Sequence, residues 1–220
     1  MIGLKITHSE EIKMAQKFYP DKRVHEGMTY QQYSEMTKEE SANTNIDDMT
    51  VVNKELFETR KLNIHRMTRI DKSYEPGIEI RDEIDKIENY QLWMVITENW
   101  CGDSAQNLPY IAKIASLNNN IDLRIILRDT NPDIMDNYLT NRSRSIPKLV
   151  AFDEAGNELF QWGARPKAAQ EIVTELKAQG FEKKYFLEKL HSWYARNGGK
   201  DIEKEILLLI KKANLIKKSV

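Results

Sequence analysis

Apolar residues along the chain follow two different periods. Between residues 91 and 162 they gather in four short runs, LWMVIT, IDLRIILR, PKLVAF and ELFQW. Runs of this length and composition predict buried strands. Three segments with helical spacing accompany them: DSAQNLPYIAKIASL after the first strand, NPDIMDNYLT after the second and RPKAAQEIVTELKAQG after the fourth. Asn131 is placed to cap the second of these helices, with Pro132 in its first turn, while Pro166 and Gly180 bracket the third. The predicted order is β-α-β-α-β-β-α. Strands that alternate with helices imply a parallel sheet covered on both faces. The closing pair, turned at Gly156, implies an antiparallel hairpin at one edge.

The flanks are helical throughout. Ser9 is a candidate cap for a first helix with Ile12, Ala15 and Phe18 on one face. A long helix is expected after Asp47 and Asp48, with Val52, Leu56, Ile64, Met67 and Ile70 at near-helical spacing. Pro76 and Gly77 interrupt it, and Ile80, Ile84 and Ile87 mark a short amphipathic helix. Beyond residue 180, Phe186, Leu190 and Trp193 share one face. Gly198 and Gly199 break it, and Ile202, Ile206, Leu209 and Ile210 form another stripe. The organisation expected is a helical extension over residues 1–89, an α/β domain over 90–180 and a second helical extension over 181–220. The tail stripes are read as core contacts with the central domain, or else as a partner or dimer face.

Charge narrows the function classes. The 220 residues carry 33 basic and 34 acidic side chains, so neither a nucleic-acid surface nor a membrane surface is expected. The run ILLLI is too short to span a bilayer, and the start MIGLKITHSEE lacks the apolar core of a secretory signal. His8, His25, His65 and His191 are scattered without metal-ligand spacing, and no glycine-rich phosphate cradle is present; no metal and no cofactor is expected. A single cysteine forms no internal disulfide, which fits a cytoplasmic setting. The basic stretch IHRMTRIDKSY reads as a solvated helix face.

That cysteine, Cys101, lies in ITENWCGDSAQNLPY, between a strand and a helix. The segment resembles the thioredoxin family. Trp100-Cys101-Gly102 alone is a weak signal, but four features accompany it. Pro109 lies eight residues after Cys101, where the family carries a proline in the helix. Ile146-Pro147 opens the third strand, where the family has its cis-proline. Gly156 and Gly163 fall near its two glycines around the final strand. The resemblance covers the middle of the chain and implies a thioredoxin-like α/β fold with helical N- and C-terminal extensions. WCGDSAQNLP with NRSRSIPKL also looks like a bacterial subgroup with a helical N-terminal extension.

At such a position Cys101 meets a helix N-terminus, which favours the nucleophilic thiolate. Trp100 is expected to shield the sulfur. Pro147, in the cis form, is expected to leave the Ile146 backbone free to pair with an extended peptide. The alternative is a buried, inert core thiol. The chain also departs from the family. The dithiol motif is replaced by Cys101-Gly102-Asp103-Ser104. Ser104 cannot release a mixed disulfide, though its hydroxyl can donate to a thiolate. Val95 stands where the family buries an aspartate. Asp103 adds a like charge that raises the thiol's pKa. Arg128 and Arg144 are possible charge partners at the same edge, or simply solvated arginines.

The catalytic candidates are therefore Cys101 and Ser104, supported by Trp100, Gly102, Asp103, Ile146 and Pro147. The first reading is monothiol exchange with a protein or small-molecule thiol or disulfide, resolved by a second thiol from solution. The second is a non-catalytic peptide-binding module. Iron–sulfur carriage, as in monothiol glutaredoxins, is a third reading that Trp100 and Asp103 argue against. The substrate, reductant and oligomeric state are not specified by the sequence.

Overall fold

The computed structural model describes residues 22–42 and 50–217. The helix expected from Ser9 to Phe18, and Asp47 and Asp48, lie outside the described residues. The elements are α1 (Tyr30–Ala42), α2 (Val51–Ser73), α3 (Ile78–Ile84), β1 (Gln91–Thr97), α4 (Gly102–Ala115), β2 (Ile121–Leu127), α5 (Pro132–Met135), β3 (Lys148–Asp153), β4 (Glu158–Gly163), α6 (Lys167–Ala178), α7 (Lys183–Asn197) and α8 (Lys200–Lys217).

The four strands form one sheet in the order β2-β1-β3-β4. β1 runs parallel to β2, with Val95 opposite Ile125. Among the described strands only this pair is parallel. β3 lies antiparallel to β1, with Val95 opposite Leu149, and β4 antiparallel to β3. Residues 128–147 after β2 therefore reverse the chain rather than cross over to a parallel strand. The free edge of β2 is partly covered by the segment before α1, where Met28 and Ile125 exchange backbone hydrogen bonds of 3.0 and 2.8 Å. Pairing of this kind blunts an edge that would otherwise template association.

β1 is buried along its whole length, as a central strand with both faces covered must be. Its alternate side chains divide the core. Trp93 and Val95 face Leu108, Ile111, Leu149, Phe160 and the apolar side of α8. Leu92, Met94 and Ile96 face Ile134, Met135, Tyr138, Val150, Phe152 and Cys101. Val95, in the position where the family places an aspartate, is simply an apolar core residue.

Some elements differ from their sequence pattern. α2 begins after Thr50, whose hydroxyl accepts from Asn53 N at 3.3 Å. Its buried face is Phe57, Asn63, Met67 and Ile70, while Val52 is 72 % exposed. Ile87 is buried but lies beyond the end of α3. α5 is one turn instead of the expected run through residue 140. The amides just past its end close back three residues, Asn137 N to Ile134 O and Tyr138 N to Met135 O, and the Asn137 side-chain amide donates to the Asp133 carbonyl at 2.7 Å. Such tight turns end a helix.

In the tail, Ile202, Ile206 and Ile210 of α8 enter the main core. Each fully buried side chain of this size contributes roughly 1.5–3 kcal/mol. α7 packs instead on α6, through Phe186, Leu190 and Tyr194 against Ala169 and Val173. Trp193, expected on that face, is half-buried at its margin. Tyr194 occupies the buried position because its hydroxyl has partners in α4.

Candidate functional site

Cys101 is the N-cap residue of α4. Its carbonyl accepts from Ala105 N at 3.1 Å and its amide donates to Glu98 O at 3.1 Å. The strand-to-helix reversal therefore fixes the sulfur at the positive end of a 14-residue helix. The Ile146–Pro147 peptide is cis, and the two loops meet: the thiol donates to Ile146 O at 3.4 Å. Gly163 makes room for this loop. Its φ is +122°, and a Cβ there would stand 2.2 Å from the Pro147 carbonyl oxygen.

The sulfur is less open than the motif suggests. Cys101 is 9 % exposed and belongs to the core cluster on one face of the sheet. Burial pushes its pKa up, and the Asp103 charge pushes the same way. The Ser104 hydroxyl and the amides of Ser104 and Asp103 pull it back. Ser104 is 1 % exposed. With Cys101 protonated, its hydroxyl has no hydrogen-bond partner among the described residues. An ionised sulfur would supply that partner. The Ile146 carbonyl is likewise taken by the thiol proton, so an incoming peptide would have to compete for it.

The expected charge partners are both at this edge but have other carboxylates. Arg144 makes a two-pronged pair with Asp136 at 2.7 Å per arm. Arg128 pairs with Asp129 at 2.7 Å and lies 4.7 Å over the half-buried Trp100 ring. The cation that engages the motif itself is Arg165, 2.6 Å from Asp103. Asp103 also accepts from the Tyr194 hydroxyl at 2.9 Å, and that oxygen accepts from Asn107 at 3.0 Å. Thus Asp103 links α4, α7 and the turn after β4.

Further residues at the site come from flanking helices and carry no motif. Over Gly102, the Arg66 guanidinium and the His191 ring converge: a Cβ there would lie 3.3 Å from Arg66 Nη1 and 3.0 Å from His191 Cε1. Burial, then the charges of Arg66 and Arg165, hold the pKa of His191 down to about 4. Asn63, fully buried on α2, donates to Asn99 O at 2.9 Å and accepts from Arg66 at 2.9 Å. Arg60 donates to Asn99 Oδ1 at 3.0 Å. α2 thereby holds the loop that leads into Cys101. A sequence clue existed only in α7, where His191 and Tyr194 interrupt an apolar stripe with polar atoms on one face.

A cleft of about 560 Å³ opens beside the sulfur. Trp100, Cys101, Gly102, Asp103 and Ile146 line it together with Arg66, Arg128, Arg144, Arg165 and Lys183. Among the described residues no group of three or more His, Cys, Asp or Glu is arranged to hold a metal ion. No helix there is long and apolar enough to cross a membrane.

Comparison with solved structures places the fold. A protein of unknown function from Pseudomonas aeruginosa superposes with a TM-score of 0.57 at 17 % identity, covering 86 % of this chain and 95 % of that one. An HIV epitope-scaffold superposes with a TM-score of 0.56 at 18 % identity, covering 86 % and 94 %. At such identities the likeness is one of fold alone. No curated protein matches the chain. Residues 49–177 match the family model described as Thioredoxin, a span that takes in α2 as well as the sheet. The chain belongs to the thioredoxin family.

Proposed function

We propose that the protein is a cytoplasmic monothiol member of the family, in which Cys101 exchanges with a disulfide and holds the adduct until an external thiol releases it. The observation that carries this reading is the meeting of the α4 N-terminus with the cis Ile146–Pro147 loop, sulfur to carbonyl at 3.4 Å, on the wall of a cleft. In the forward step the Cys101 thiolate attacks one sulfur of a disulfide R–S–S–R′. A bond forms between Cys101 Sγ and the R sulfur, and R′S⁻ leaves and takes up a proton. A second thiol, RSH, then attacks as thiolate, giving RSSR and returning Cys101 as a thiol. Within the family, the run from Trp100 to Ser104 looks like the bacterial subgroup with a helical N-terminal extension.

The raised pKa shapes the kinetics. A thiol of high pKa ionises rarely, and once in a disulfide it is a poor leaving group. The mixed disulfide of Cys101 should therefore form slowly and persist. Ser104 cannot displace it. The experiment is intact mass of the purified protein after incubation with an oxidised small thiol, with Cys101→Ser as control. An adduct on wild type alone supports exchange; no adduct on native wild type overturns it.

A second reading, a binding module without turnover, is favoured by one observation: only 9 % of Cys101 is exposed. The edge at Ile146 and Pro147 would then dock a peptide without redox chemistry. If Cys101→Ser retains the cellular partners of the wild type, this reading gains and the first loses.

A further inference from the structure

The cleft beside Cys101 has a charge composition unlike the rest of the chain. Basic and acidic residues are nearly balanced overall, yet the cleft wall carries Arg66, Arg128, Arg144, Arg165 and Lys183 against one acid, Asp103. Three of these cations are matched. Arg165 pairs with Asp103, Arg128 with Asp129 and Arg144 with Asp136. Arg66 and Lys183 have no carboxylate in salt-bridge contact among the described residues; Asp103, already paired with Arg165, attracts Arg66 only from farther off. Arg66 is half-buried, and the hydrogen bond it makes is to the neutral side-chain oxygen of Asn63. Lys183 is exposed at the rim, in the first turn of α7.

One donor on the cleft wall also lacks an acceptor: Arg165 Nε is buried without a hydrogen-bond partner among the described residues. A half-buried guanidinium with no carboxylate in contact is costly to keep, and one beside the N-terminus of a long helix adds to a field that favours anions. The volume, about 560 Å³, suits a ligand of small-peptide size or less.

Resting on the exchange reading above, we propose that the disulfide taken by Cys101 is a low-molecular-weight one bearing carboxylates, which Arg66 and Lys183 bind while the sulfur is attacked. In the exchange, the Cys101 thiolate forms the new S–S bond with the carboxylate-bearing half. The other half leaves as a thiolate and is protonated. Cys101 is oxidised and the departing sulfur reduced, with no further redox partner required.

The test uses three small disulfides that differ in charge: dithiodipropionate, 2-hydroxyethyl disulfide and cystamine. Rates of adduct formation on the full chain are read by intact mass at 20 mM salt. Each is divided by the rate of the same disulfide with free 2-mercaptoethanol, which removes intrinsic reactivity. The expected order is anionic above neutral above cationic, with the anionic-to-cationic ratio on the order of tenfold and shrinking in high salt. In the double variant Arg66→Gln with Lys183→Gln the ratio should fall toward one. Lys183→Gln alone, at an exposed position, should lower it part of the way even if the double variant folds poorly. Equal normalised rates, a preference for cystamine, or a ratio unchanged in Lys183→Gln would overturn the proposal while leaving exchange intact. No adduct with any of the three would overturn the exchange reading and this one together.

Discussion

The Asp103 carboxylate and the Arg165 guanidinium meet at 2.6 Å, two residues along the chain from the thiol. Both are largely buried: their side chains are 10 % and 22 % exposed. This pair joins the start of α4 to the turn after β4, and the Tyr194 hydroxyl adds α7 to the same carboxylate. It holds together the three elements that enclose the sulfur, and it places a negative charge where that charge disfavours the thiolate.

Replacing Asp103 by Asn should therefore separate two effects. The like charge that raises the Cys101 pKa disappears, so the alkylation profile should move to lower pH. Arg165 loses its partner in a mostly dry site, which should cost about 2–3 kcal/mol of stability. Denaturant unfolding and pH-dependent alkylation on the same preparation measure both. A profile that moves to higher pH would contradict the electrostatic assignment.

Ser104→Ala should do the reverse. The hydroxyl has no partner while Cys101 is protonated, so its loss should change stability by less than about 1 kcal/mol. The thiolate loses a donor, so alkylation at a given pH should slow. Ser104→Cys should convert the site to a dithiol. An adduct on Cys101 would then be released from within the chain, and mass spectrometry should find an internal disulfide, two hydrogens lighter, where wild type shows a lasting adduct.

Gly163→Ala tests the support of the proline loop. The new methyl group would collide with the Pro147 carbonyl, and φ of +122° disfavours any side chain. A loss of about 2–4 kcal/mol is expected in chemical denaturation. A variant as stable as wild type would mean that β4 and the loop are not in this contact.

How far these features could be read in advance differs by range in sequence. The strands and their helices were legible because each run carries its own period, as LWMVIT shows. The pairing of Cys101 with the Pro147 loop was legible because both ends carry a motif. The length of α5 was not, since it is set by the Asn137 side chain and the three-residue turns that follow. Nor was the burial of Cys101, whose cover comes from distant segments. Arg66 lies on α2 and His191 on α7, and only the fold brings both over Gly102. Arg128 and Arg144 stood out by their place in the sequence, but nearby aspartates take their charges. Arg165, which engages the motif, follows Gly163 with nothing local to mark it.

The His191 pKa of about 4 has a consequence for acid stability. The unfolded chain takes up this proton near pH 6.5, the folded one only near pH 4. Stability from the neutral ring is full above about pH 6.5 and is lost as the pH falls toward 4. Discounted for the ring's partial exposure, the effect is on the order of 2 kcal/mol. Urea unfolding between pH 7 and pH 4 should show a smaller decline in His191→Gln than in wild type; parallel declines would show that the ring charges as easily folded as unfolded.

Cys101 is proposed to react as a nucleophile within the folded protein in spite of its cover. The most direct measurement is the rate of iodoacetamide alkylation across pH, repeated in urea below the unfolding transition. A nucleophilic Cys101 should give a native-state rate that climbs with an apparent pKa above that of free cysteine and stays level as urea is added. A reaction that appears only in step with global unfolding would show an inert core thiol and contradict it.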